Sequence, residues 1–155
     1  MKKEWTMESA SVMPVIALRG LTVFPNVLIH FDVAREISIK ALEEAMSSGS
    51  PVFLVGQKDI SEERPEEKDL YTVGTISNVR QILRTPGDNV RVMVEGLCRG
   101  NLEELKRTSP YLEAVVRTIP GEKAGHNSAK TEALIRSTFE MFQQYTELAP
   151  KTAQI

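Results

Sequence analysis

Residues 15–33, VIALRGLTVFPNVLIHFDV, constrain the fold more than any other segment. The stretch is apolar at both ends, but it breaks at Arg19-Gly20 and turns again at Phe24-Pro25-Asn26. It is too long for an ordinary strand. A helix through it would carry Gly20, which gives up the most backbone entropy, and Pro25, which has no N–H to donate. The reading left is a pair of short strands, Val15–Leu18 and Val27–Phe31, forming one paired unit joined by the Arg19–Asn26 connection.

The period then changes. Ile39, Leu42, Ala45 and Met46 recur at helical spacing within Arg35–Ser48, with Glu36 and Lys40 as an outer i,i+4 pair. Gly49 is the expected C-cap, and Pro51 blocks continuation. Pro51–Gln57, PVFLVGQ, is nearly all apolar, which predicts a strand covered on both faces in the middle of a sheet or barrel. Lys58–Leu70 is charged and contains Pro65, so it reads as a solvated loop, and it gives way to strands over Tyr71–Leu83 and Val90–Leu97. These flank the turn formers Pro86, Gly87, Asp88 and Asn89, a hairpin in which Val90, Val92 and Val94 face the core. Asn101–Lys106 and Tyr111–Ile119 complete the sheet, unless Leu102–Arg107 forms a short turn.

A last helix, capped by Asn127 or Ser128 and stopped by Pro150, carries an apolar stripe of Leu134, Ile135, Thr138, Met141, Phe142, Tyr145 and Leu148. The sequence holds no further helix to receive that stripe, so either the helix folds back on the β part or the sequence is a fragment. The expected organisation is a mobile arm over residues 1–12, a β-rich lobe over 13–120, a hinge over 121–127, and the start of a truncated helical subdomain over 128–155.

Function classes narrow by exclusion. A chain of 155 residues buries roughly 70% of its unfolded surface. Its 19 Lys and Arg nearly balance 21 Asp and Glu, so no chain-wide positive field favours nucleic acid. The lone Cys98 cannot form an intrachain disulfide. Glu4, Glu8 and Pro14 interrupt any export signal after Met1-Lys2-Lys3, and no run approaches the about 20 apolar residues of a membrane span. A cytoplasmic protein without membrane contact is expected.

No phosphate cradle, G-x-S-x-G elbow, H-E-x-x-H or cysteine pair occurs, so no catalytic, metal or cofactor site is expected in this chain. His30 reads as a half-buried structural residue, His126 as an exposed loop residue and Cys98 as a small core residue. Arg80, Arg84, Arg91 and Arg99 form a basic strip along the hairpin, with the acidic 58–70 loop offering partners for it.

Four stretches together resemble the N-terminal domain of the Lon family of ATP-dependent proteases: Pro14–Met46, Phe53–Asp59 (FLVGQKD), Asp69–Leu83 (DLYTVGTISNVRQIL) and Val90–Gly100 (VRVMVEGLCRG). Ala34 departs from a glycine frequent in that family, and the last helix matches only in type. The resemblance implies an α+β fold: a β-rich, PUA-like pseudo-barrel with one short helix, followed by a C-terminal helix. It implies a non-catalytic module whose parent adds an ATPase, using ATP and Mg, and a Ser-Lys peptidase. It further implies recognition of unfolded, damaged or degron-bearing polypeptides and support of a hexamer. Phe24, with Leu21, Val23 and Pro25, is the expected substrate contact, unless Phe24 plugs one end of the barrel. Leu134, Ile135, Met141, Phe142, Tyr145 and Leu148 are the expected self-association surface. A stand-alone interaction or regulatory domain and a PUA-like RNA-binding module are the rival readings.

Overall fold

Short β-branched runs separated by turn formers become six strands, and a computed structural model describes residues 8–87, 89–121 and 128–148 of the chain. The elements are β1 (Ala10–Leu18), β2 (Leu28–Val33), α1 (Glu36–Ser48), β3 (Val52–Gly56), a 3-10 turn (Glu67–Asp69), β4 (Val73–Arg84), β5 (Val90–Arg107), β6 (Leu112–Ile119) and α2 (Ala129–Leu148). The fold is α+β. The chain divides into two units, residues 1–121 and residues 122–155.

In the first unit the strands run in the order β2-β5-β4-β3-β1-β6, and a further pairing of β5 with β6 closes the sheet on itself. Closure depends on β5, which is 18 residues long. Its first half lies between β2 and β4, and its second half pairs with β6. Leu102–Arg107 is therefore strand and not turn. Register shifts between Leu102 and Glu104 and between Leu105 and Arg107 supply the bulges that let so long a strand bend around a barrel.

The strands expected to pair with each other do not. β1 runs parallel to β3, from Val15 opposite Phe53 to Leu18 opposite Gly56, and antiparallel to β6. β2 instead pairs with β5 at the far end of the sheet order. The connection between β1 and β2 is not a hairpin, because Val23 is drawn into the core and the chain crosses the barrel end before β2 begins. Strand structure also starts at Ala10, ahead of Met13, because Ala10 to Val15 pair with Arg117 to Leu112. The Thr118 N–H, which donates to the Ser9 carbonyl, and the Ser9 N–H, which donates to the Thr118 hydroxyl, extend that pairing further.

α1 carries the expected Glu36–Lys40 ion pair at 2.7 Å and ends at Gly49, whose φ of 66° is left-handed and whose N–H donates to the Ala45 carbonyl. Its buried residues are Ser38, Ala41, Leu42 and Ala45. Met46, expected on that stripe, is exposed. The small residues Ser38, Ala41 and Ala45 bring the helix close to the sheet and rotate its buried face away from Met46.

β3 shows why its sequence is apolar throughout. Val52 and Leu54 join one core cluster with Ile16, Leu42, Val92 and Val94, while Phe53 and Val55 join another with Met13, Val15, Ile76 and Leu112. Gly74 makes room for the Phe53 ring, since a Cβ there would lie 2.7 Å from Phe53 Cζ. Val90, Val92 and Val94 are buried, as their alternation requires.

In the second unit the Ser128 hydroxyl accepts from the Thr131 N–H at 3.2 Å and opens α2, a helix with no buried residue. Asn127, His126 and Pro150 lie outside the described residues.

Candidate site at the barrel mouth

The connection over residues 19–27 closes one end of the barrel and is held at two places. The Thr75 hydroxyl, itself buried, donates to the Val23 carbonyl at 2.6 Å. Farther on, the Asn26 N–H donates to the Gly96 carbonyl and the Gly96 N–H to the Val27 carbonyl, each at 2.9 Å. Gly96 is required here, because a Cβ on it would overlap the carbonyl oxygen of Phe24.

These anchors sort the expected contact residues. Val23 is 4% exposed and belongs to the core, so it supports the site from beneath. Leu21 is half-buried against the same cluster, and Pro25 is half-buried. Phe24 is 52% exposed. Val23 is thus seated inward and Phe24 outward. Val23, not Phe24, fills the barrel end.

Beside the loop lies an open depression of about 510 Å³, lined by Leu21, Thr22, Gly56, Tyr71, Val73 and their neighbours. A smaller cleft of about 60 Å³ shares Thr22, Gly56 and Val73 with it and reaches Phe24 and Arg99. Val73, 46% exposed, lines both hollows, while Tyr71, 55% exposed, lines the larger and Phe24 the smaller. Neither Tyr71 nor Val73 was expected as a contact from sequence. The available signal was their place directly after the charged loop, at the start of β4.

A polar network ties the floor of the mouth to that charged loop. Arg35 donates to the Ala17 carbonyl and, at 3.0 Å, to Gln57 Oε1. Gln57 Nε2 donates to the carbonyls of Asp59 and Glu62, each at 2.6 Å. Arg19 reaches the Glu62 carbonyl at 2.9 Å and the Glu63 carboxylate at 3.1 Å. Burial, reinforced by the nearby Arg19 charge, lowers the pKa of the Arg35 guanidinium.

The other candidates behave differently from their sequence reading. His30 is exposed on β2, not half-buried, because the even-numbered residues of that strand face outward. Three of the four hairpin arginines find partners elsewhere than the 58–70 loop: Arg80 on Glu95, Arg84 on Glu43, and Arg91 on Asp32 at 2.8 Å, while Arg99 is exposed. The hydrogen bond from Arg91 also holds the Asp32 carboxyl below its ordinary range. Cys98 is half-buried, and burial raises its thiol pKa, the opposite of what a nucleophile requires. Among the described residues no group of three or more His, Cys, Asp or Glu is placed to hold a metal, and no helix is long and apolar enough to cross a membrane.

On α2 the six residues expected to self-associate, Leu134, Ile135, Met141, Phe142, Tyr145 and Leu148, are all exposed. Phe139 is exposed with them and was missed, although it lies one turn beyond Ile135.

Known proteins are similar to this chain in sequence and in fold. A Lon protease of Clostridium acetobutylicum is 44% identical over 138 residues, covering 89% of this chain and 18% of that protein. One from Clostridioides difficile is 38% identical over 144 residues, again 18% of its length. The chain therefore spans less than a fifth of these relatives. The N-terminal domain of the Mycobacterium avium complex Lon protease has the same fold, with a TM-score of 0.67 at 16% identity over 92% of this chain and 72% of that one. The Lon N-terminal domain protein from Xanthomonas campestris matches at a TM-score of 0.64 and 11% identity, over 86% of this chain and 74% of that one. Residues 12–155 match the profile of the ATP-dependent protease La (LON) substrate-binding domain, and the chain belongs to that family.

Proposed function

We propose that this chain recruits non-native polypeptide for a Lon-type ATP-dependent protease, and that the contact is made at the barrel mouth by Phe24, Tyr71 and Val73. The observation that carries the reading is an exposed Tyr71 on an open depression and an exposed Phe24 on the adjoining cleft, the two hollows sharing Thr22, Gly56 and Val73. A folded protein hides its apolar segments, so an exposed apolar mouth on a rigid scaffold selects chains that have lost or not reached their fold. Phe24 is held outward by the buried Val23 and by the pinning of the loop on Gly96, so little side-chain or loop order is lost on binding.

The parent supplies the rest: an ATPase using ATP and Mg, and a Ser-Lys peptidase, in the cytoplasm. Repetition of a weak site around a hexamer raises the effective affinity for a long client without any new contact. A second role, self-association through α2, is favoured by the exposed stripe from Leu134 to Leu148. The RNA-binding reading loses its main support, since Arg80, Arg84 and Arg91 are each engaged by a carboxylate.

The test is binding of one protein in its unfolded and folded forms to the chain and to its Phe24→Ala and Tyr71→Ala variants. Binding of the unfolded form alone, weakened at least roughly fivefold by either substitution, supports the mouth as the contact. Equal indifference to both forms contradicts it.

A further inference from the structure

We propose that the outer edge of β2 is a second contact for the same clients: an extended segment of non-native polypeptide pairs with it as an added strand. This deepens the proposed recruiting function and rests on it. β2 is the end strand of the sheet and pairs on one side only, with β5. The Val27 carbonyl accepts from Gly96, and bonded positions alternate along an antiparallel ladder, so Ile29, Phe31 and Val33 direct their backbone groups at β5. The N–H and C=O groups of Leu28, His30 and Asp32 therefore point away from the sheet. Among the described residues β2 has no strand partner on that side.

The edge lacks the devices that normally forbid such pairing. β2 has no proline and no lysine, and its register runs from Leu28 opposite Glu95 to Val33 opposite Val90 without a bulge. The β4–β5 and β5–β6 ladders, by contrast, are both interrupted. The one charge on β2, Asp32, is engaged across the ladder by Arg91. On the core-facing side Ile29 and Phe31 are only partly buried at the rim of their cluster.

These features specify the occupant. An incoming strand with apolar residues at every second position would cover Ile29 and Phe31, while its other side chains lie beside Leu28, His30 and Asp32. Alternating apolar segments with unpaired backbone are what an unfolded chain offers and a folded one withholds. The edge is also continuous with the mouth: Phe24, Val27 and Leu28 are exposed in succession from the loop into β2. Backbone pairing has little sequence preference, which suits a module that must take many clients.

The test uses the 155-residue chain and a short synthetic peptide that alternates valine with threonine or lysine. Amide hydrogen exchange at Leu28, His30 and Asp32 is expected to slow roughly tenfold when the peptide is added, with Ile29 and Phe31 already protected. His30→Pro, which removes an outward N–H but no bond to β5, is expected to weaken peptide binding about tenfold, and His30→Ala to leave it unchanged. Peptide binding with unaltered exchange at those three amides overturns the edge proposal, and loss of binding in Phe24→Ala alone would then leave the mouth as the sole contact. Binding of neither peptide nor unfolded protein sinks the recruiting function itself. A doubled mass without peptide, with the same amides protected, would show that a second copy takes the edge, and would also overturn the proposal.

Discussion

Gly96 and Arg35 show how single residues set the mouth. Gly96→Ala would drive a methyl group into the Phe24 carbonyl and within 3.2 Å of the Pro25 Cα, both backbone atoms that cannot swing aside. We expect a loss of about 1–3 kcal/mol in urea unfolding, with chemical-shift changes concentrated at Phe24 to Val27. Arg35→Ala would strip the donor from the Ala17 carbonyl and from Gln57 Oε1, costing about 1–3 kcal/mol. Arg35→Lys should recover little of it, because an ammonium cannot present the same planar fork. Cys98 offers a pH test: burial raises its thiol pKa, so the thiolate is scarce below that raised value. Alkylation by iodoacetamide at pH 8 should be slower than for a free thiol, and urea unfolding should abolish the difference.

Among the elements, local pattern was legible and long-range partnership was not. The helical spacing of residues 36–48, apart from Met46, the Gly49 cap, the apolar run of β3 and the inward valines of β5 follow from neighbours in sequence and were found where expected. The pairing of β1 with β3 and of β2 with β5 depends on segments tens of residues away, which periodicity does not encode. The same limit hid the partners of the hairpin arginines and the approach of Tyr71 and Val73 to the Phe24 loop. Phe24 was legible as a candidate because it is a large apolar residue in the loop between two short strands, although a Phe before Pro25 could equally have plugged the barrel end. Its separation from the buried Val23 was not, since that depends on the Thr75 hydroxyl, fifty-two positions along the chain. Thr75→Val keeps the shape and removes that donor. It should leave the buried Val23 carbonyl unsatisfied, cost about 1–3 kcal/mol, and weaken binding of unfolded protein by loosening the loop.

At the scale of the whole molecule, the barrel serves as a rigid frame for a loop and an edge. Closure of β5 onto β6 leaves β2 as an appended strand, and the connection that delivers β2 is the one that turns Phe24 outward. Of the apolar residues left outside the cores of residues 8–121, Phe24, Tyr71 and Val73 line the two adjoining hollows and Val27 and Leu28 follow Phe24 into β2, while Val12, Met46, Ile60, Leu83 and Ile119 are exposed without lining either hollow. The central claim is that the barrel mouth, and not the α2 stripe, takes non-native polypeptide. Two-dimensional amide NMR of the chain, titrated with a protein in its unfolded and then its folded form, tests it most directly. The account predicts shifts at Leu21 to Leu28 and Tyr71 to Val73 with the unfolded form alone. Shifts confined to Leu134 to Leu148, or none with either form, would contradict it.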